Sequence, residues 1–540
     1  MKTIVSIVCF TLALFSFDLY SQTIFVSGNI DSNTTWSADT VKITGNVDVL
    51  HGIVLSVEPG TYIESLGYFR INIKGSIRAI GTLADSIVFT VHDTTGFWQD
   101  TYSLRGGWEG LNIKNNQAAS DTSIFEYCRI QYGKKYLTNG DNIEGAGINV
   151  NDYGTLIVKN SLIRYNMVIN HEYGGPVVSK GGAVYCKNVN TVLIRGNSFI
   201  RNRSFDRGGA IYIAQQCQSD ISDNVFIKNK AWNQKFVSGV MVSWGGGAAI
   251  ATDDSEGPSP VISNNYCFNN FTVSGIIQTR NLGGLVFNNL ICNNFGTGID
   301  ATYYFSQVRI FNNTIVNNDS HSGGIFLYSK AIIYNNILWG NKSFPVEIVD
   351  QIQLLTGVPQ FHPVLSYNSI QYGNGGAGSI NNYPEFVDPS DGFGIDYEGA
   401  AADWSLLDSS PCINAGTPDT SGLFLPAYDV NLEPRIYGAG IEMGAYENQH
   451  VIVGLNNVES ANAIIYPNPV NDLIFIEFKG IDKYSDIVLF SPDGSIVKNI
   501  SIENQVDRAK ITLPQLVAGF YLLRIAQTNG HVVSRKIIVL

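Results

Sequence analysis

The sequence predicts an all-β chain whose main body is a parallel β-helix, followed by a cap module and a small C-terminal β-sandwich. Three observations predict it. Apolar triplets flanked by asparagines recur about every 24 residues, as in FNNLICNN at 287–294, FNNTIVNN at 311–318 and YNNILWGN at 334–341. Paired glycines open a second set of apolar strands, one per unit: GAGINV at 145, GGAVYC at 181, GGAIYI at 208, GGGAAI at 245 and GGIFLY at 323. Composition agrees, with 54 glycines, 11% aromatic and 15% charged residues, which suits short strands and tight turns and argues against helical bundles and disorder. At 540 residues the chain is too long for one ordinary core, so several domains or a repeat array are expected.

The first residues, MKTIVSIVCFTLALFSFDLYSQ, carry Lys2, an apolar run from Ile4 to Phe17 and a small residue at Ser21. Residues 1–21 therefore read as a secretory signal, too short and wrongly flanked for a membrane span. No later apolar segment is long enough to cross a bilayer, so no transmembrane segment is expected. The net charge of −12 and the lack of a Lys/Arg run argue against nucleic acid as a partner. Export permits disulfides, but Cys128, Cys186, Cys217, Cys267, Cys292 and Cys412 form no CxxC pair, and Cys267 and Cys292 fill apolar slots of the repeat.

The solenoid is assigned to residues 22–375. Alignment on N-x-h-h-x-N, with h mostly apolar, gives Asn197, Asn224, Asn265, Asn289, Asn313 and Asn336; the last three steps are 24, 24 and 23 residues. The earlier steps of 27 and 41 mark a short and a long insertion, and NSLIRYN at 160–166 and NSIQYGN at 368–374 extend the series. Strands of three to five residues at this period fit a coil stacked on its neighbour at about 4.8 Å. Stacked turns expose the same backbone groups in every coil, and an Asn can bond its own turn and the Asn above and below, forming a ladder. It also tolerates left-handed backbone. LSVEPGTYIES at 55–65, INIKGSIRAIGTLADSIVFT at 71–90 and GGWEGLNI at 106–113 supply the entry coils. These segments and the Asn/Gly coils, roughly residues 41–375, resemble secreted bacterial right-handed parallel β-helix proteins. That resemblance implies a fold shared by adhesins, lyases and glycosidases, and no one activity.

From residue 376 the period breaks. NNYPEFVDP, ADWSLLDSSPCINAGTPD and YDVNLEPRIYGAGIEMGAYE place Pro384, Phe386, Asp388, Leu406, Ser410, Pro411, Gly416, Asp429, Arg435, Gly444, Tyr446 and Glu447 at irregular spacing. Residues 376–450 resemble the choice-of-anchor Q module, for which a solenoid-capping role is expected. Arg435 with Glu442 or Glu447 is expected to form a buried ion pair. A linker at 451–463 leads to residues 464–540, where alternating strands and a PDG turn predict a small sandwich. Tyr466-Pro467-Asn468-Pro469, then Gly519 and Tyr521, then Lys536 to Leu540 resemble the C-terminal sorting domain of the type IX secretion system. The resemblance implies the type IX machinery as a partner, passage through the outer membrane, and release or attachment to surface lipopolysaccharide.

Insertions enter the coil between the ladder Asn and the next glycine pair, so they project from one side, where solenoids build binding surfaces. The residues before the glycine pairs are expected to stack: Glu144, Lys180, Arg207 and Trp244, with Asp206 and His321 one position earlier. Trp232, His171, Glu172 and Tyr173 lie nearby in sequence. Tryptophan faces with charged groups suit a polysaccharide or cell-surface glycan. For β-elimination, Lys180, Arg207 or His321 would serve as base or charge neutraliser; the competing reading is a solvated edge of paired charges. Asp253, Asp254 and Glu256 in TDDSEGPS would be the ligands if calcium binds, against the alternative of a solvated turn. The expectation is a secreted surface protein that binds glycan or another surface ligand in noncatalytic adhesion or binding; the alternative is a polysaccharide lyase or glycosidase working in a groove on one face.

Overall fold

The computed structural model describes residues 22–540 apart from 116–120, 137–142, 171–178, 238–239, 254–256, 281–282, 303–306, 321, 329, 343–349, 355–361, 374, 424, 450–461, 467, 469, 480–483, 492–494, 502–507, 517, 528–531 and 540. The signal segment and most of the linker therefore lie outside the described residues.

The chain is a right-handed parallel β-helix with a second module on its flank and a C-terminal β-sandwich. One coil shows the plan. The strand Val184–Arg195 bends to serve a first and a second face, Ser198–Ile200 serves a third, and Arg203–Ser204 starts a short fourth row before the chain returns through Gly208 to the first face. Each segment pairs in parallel with the next coil: Val184 with Ile211, Ile194 with Ile221, Phe199 with Phe226 and Arg203 with Lys230. Alternate side chains point inward, so apolar residues stack along the axis. On the first face Ile148, Val184, Ile211, Ile250, Ile277, Ile299 and Ile325 are fully buried in consecutive coils. β-Branched residues dominate because they fit a pleated surface packed against neighbours on both sides.

The paired asparagines resolve into two ladders. The first runs Asn197, Asn224, Asn265, Asn289, Asn313, Asn336, Asn368 at the corner between the second and third faces, each side-chain amide donating to the next Oδ1 at 2.9 to 3.0 Å. The second, five residues on, runs Asn166, Asn202, Asn229, Asn270, Asn294, Asn318, Asn341 to Gln351 at 2.7 to 3.1 Å. Each Oδ1 also accepts the backbone N–H of the preceding rung, as Asn289 does from Asn265 at 3.0 Å. In each Asn pair the second residue is the rung, and the first carries the left-handed turn: Asn312 and Asn317 have φ of 52° and 51°. In NSLIRYN the rung at the first corner is Ser161, whose backbone N–H bonds Asn197, while Asn160 takes the turn at φ 48°.

The expected cap is a flank. Residues 384–448 pack along the outer side of the third face, where Val225, Ile227, Tyr266, Phe268, Leu290, Cys292, Val316 and Ile337 form one apolar cluster with Phe386, Trp404, Cys412, Met443 and Ala445. Outward positions of that face are apolar over these coils, so it is the side of the stack that needs covering. The first residues of the Asn pairs anchor the cover: Asn269 donates to the Tyr397 carbonyl at 2.8 Å, Asn293 to Gly392 at 2.9 Å and Asn312 to Glu442 at 2.9 Å. Within the module, Arg435 pairs with Glu447 at 3.7 Å, both side chains being buried, and donates to the Glu442 carbonyl. The six described cysteines are buried and unbridged, as expected of small hydrophobes.

At the C-terminus a three-stranded antiparallel sheet (Asn462–Tyr466, Leu473–Lys479, Arg508–Thr512) faces a four-stranded one (Ile496–Ser501, Tyr484–Phe490, Gly519–Gln527, Val532–Val539) across Ile474, Ile476, Ile487, Leu523, Ile525 and Ile537. Asn468 ties the first motif to the last: its amide donates to the Lys536 carbonyl at 2.8 Å and its Oδ1 accepts from the Ile538 N–H at 2.7 Å. Among the described residues no helix is long and apolar enough to cross a membrane.

Candidate functional site

The predicted column exists for three of its four members. Glu144 pairs with Lys180, Lys180 bridges to Arg207, and Arg207 bridges to Gly246. Trp244 is displaced from it by a two-residue shift of register; it pairs instead with Asn233 across the antiparallel hairpin Asn233–Val237 and Val240–Trp244. The position opposite Arg207 is filled from the next coil by Gln278, whose Oε1 would lie 2.4 Å from a Cβ on Gly246.

Lys180 and Arg207 close over two tyrosines that point outward from the first face. Tyr185 and Tyr212 occupy one register position in adjacent coils, stack at 5.7 Å, and are buried beneath the corner. The Lys180 ammonium sits 4.7 Å from the Tyr212 ring centroid. Asp253 gathers the rest: its Oδ2 accepts from the Tyr212 hydroxyl at 2.9 Å and pairs with Arg207 at 3.3 Å and Arg280 at 3.9 Å. Burial pushes the Asp206 carboxyl up, against the pull of Arg207 and Lys180, and lowers the Lys180 ammonium. Burial and the Asp253 charge raise the Tyr212 phenol well above its usual range, so it remains a donor. The cluster is mutually satisfied: a carboxylate held by two guanidiniums and a phenol offers little to a substrate without rearranging.

Of the other candidates, His321, His171, Glu172, Tyr173, Asp254 and Glu256 lie outside the described residues. Asp253, expected in a calcium loop, is engaged as above, and among the described residues no group of three or more His, Cys, Asp or Glu could hold a metal ion.

Trp232 belongs to a second surface on the other side of the same corner. Immediately after the second ladder, one position per coil forms an outward row: Arg203, Lys230, Phe271, Phe295, then Asp319 and Lys342. Phe271 stacks on Phe295 at 4.5 Å with planes 7° apart, and Trp232 meets Phe271 edge-on at 5.5 Å. All three rings are partly exposed. Lys230 lies 4.3 Å from the Trp232 ring centroid and 4.5 Å from that of Phe271, while the Arg203 guanidinium lies 4.0 Å from Phe205. Sequence reasoning missed this row. Its signal was present in the position following each second Asn, but the glycine pairs drew attention to the opposite side of the loop.

Residues 235–355 match the family model described as right handed beta helix region, and residues 464–540 match that described as secretion system C-terminal sorting domain. No curated protein matches the chain. The sorting domain directs the protein through the outer membrane to the cell surface or extracellular space and makes the secretion machinery its partner.

Proposed function

We propose that this surface protein binds an extended glycan along the coil corner and does not cleave it. The observation that carries the reading is the aromatic row: Phe271, Phe295 and Trp232 form a contiguous, partly exposed apolar cluster at the coil corner, a surface against which sugar rings can pack. The engagement of Asp253 supports the noncatalytic form, since that carboxylate is held by Tyr212 and Arg207 and is not left as an unengaged base. The test is a glycan array followed by titration of the best ligand. Phe271→Ala and Trp232→Ala should each weaken binding about tenfold, in line with the loss of one ring contact. Wild-type affinity in both variants would sink the reading.

A second reading, polysaccharide cleavage, is favoured by one observation: burial holds Asp206 towards its protonated form within the electrostatic reach of ion-paired Asp253, an acid and a carboxylate in one cluster. New reducing ends or unsaturated products, lost in Asp253→Asn, would establish it. The sorting domain at residues 464–540 supports attachment of the protein at the surface, with lipopolysaccharide as the anchor. Extraction of the protein from lipopolysaccharide-free membranes at wild-type yield would argue against that.

A further inference from the structure

In the outward row, Arg203 and Lys230 are register partners in adjacent coils, like charges on neighbouring strands. Neither takes part in an ion pair among the described residues, and the only charged neighbour acting on Lys230 is Arg203 itself. The Arg203 Nε is buried with no hydrogen-bond acceptor. Burial lowers both groups, Lys230 to about 8 and Arg203 to about 10. Their aromatic neighbours, Phe205 under the guanidinium and Trp232 and Phe271 around the ammonium, stabilise cations but accept no hydrogen bond of normal strength. Elsewhere the solenoid deals with its basic groups differently. Lys134, in the same outward row two coils earlier, gives its ammonium to the carbonyls of Phe97, Asp100 and Arg105 at 2.7 to 3.1 Å. Among the described residues Arg203 and Lys230 are thus an uncompensated pair, set among aromatic rings.

We infer that Arg203 and Lys230 form an anion subsite that takes the carboxylate or sulfate of an acidic saccharide. The inference rests on the glycan-binding reading and specifies its ligand class. A planar guanidinium and an ammonium on neighbouring strands can share one oxyanion, relieving their mutual repulsion and supplying the missing acceptor.

The experiment titrates the full secreted chain with an oligogalacturonate and with its methyl ester, which removes the charge from the same backbone, and with dextran sulfate and dextran as the sulfate pair. Binding of an acidic form at least tenfold tighter than its neutral counterpart is expected, with the preference lost in Arg203→Gln and in Lys230→Gln. Which pair shows it distinguishes carboxylate from sulfate. Without ligand, Lys230→Met should raise the melting temperature, because it removes repulsion from the fold; a merely structural lysine would lower it. Equal affinity for charged and neutral forms, or a preference unchanged in the variants, overturns the subsite while leaving glycan binding intact. Failure of the wild type to bind any saccharide, in this set or on the array, overturns both.

Discussion

At the residue scale, neighbours in the repeat have opposite duties. Asn202 is a buried rung: it accepts from Asn166, donates to Asn229 at 3.0 Å and holds the Ile163 carbonyl at 2.8 Å. Asn202→Ala leaves several buried groups unpaired and should cost about 3 kcal/mol. Arg201, one position earlier, is exposed and left-handed at φ 53°. Arg201→Asn, which tolerates that backbone, should stabilise by about 0.5 kcal/mol. Shifts of opposite sign in the urea midpoint of the two variants check this. The ladder was legible because Asn recurs at the coil period. Which Asn of a pair does which task was not, since φ is invisible to composition.

At the element scale, the flank module is built around one guanidinium and three carboxylates. Asp429 accepts backbone N–H groups from Asn431, Glu433 and Glu447 at 2.7 to 2.9 Å, and Arg435 faces Glu447. Burial, helped by repulsion from neighbouring carboxylates, raises Glu442 to about 8 and Glu447 to about 7, and burial alone raises Asp429 to about 6. Carboxyls raised on folding hold protons that the unfolded chain has already released. Their contribution to stability is therefore full below about pH 4 and is lost as pH rises through 6 to 8. Proteolysis of residues 384–448 should accelerate between pH 6 and 9, and Glu442→Gln should flatten the dependence; a rate independent of pH would contradict it. The Arg–Glu pair was foreseeable from sequence. The module's position was not, because it depends on an apolar stripe made of every second residue in five separate coils.

At the scale of the whole molecule, the solenoid and the sorting domain have separate cores. Residues such as Ile211 and Phe226 close the first, and Ile474 and Ile525 the second. They also touch: Lys536 lies 4.1 Å from the Tyr266 ring of the solenoid and 4.2 Å from Phe520 of its own domain. Removing residues 464–540 should leave the thermal unfolding of the solenoid nearly unchanged while the protein accumulates inside the outer membrane. Cell fractionation and calorimetry measure the two effects, and loss of both folding and export would contradict the separation.

The sequence alone determined the coil, its period, the ladder and the export signal at the C-terminus. Each is a local pattern repeated or placed at a chain end, and stacking converts local repetition directly into structure. The tertiary structure decided what no single repeat contains. A two-residue shift of register, which puts Gly246 opposite Arg207, moves Trp244 out of the column. Lys180, Arg207, Arg280, Tyr212 and Asp253 meet although four coil segments separate them in the chain. Arg203 and Lys230 face each other uncompensated. These depend on register between coils and on which partners are missing, and both are properties of neighbours in space.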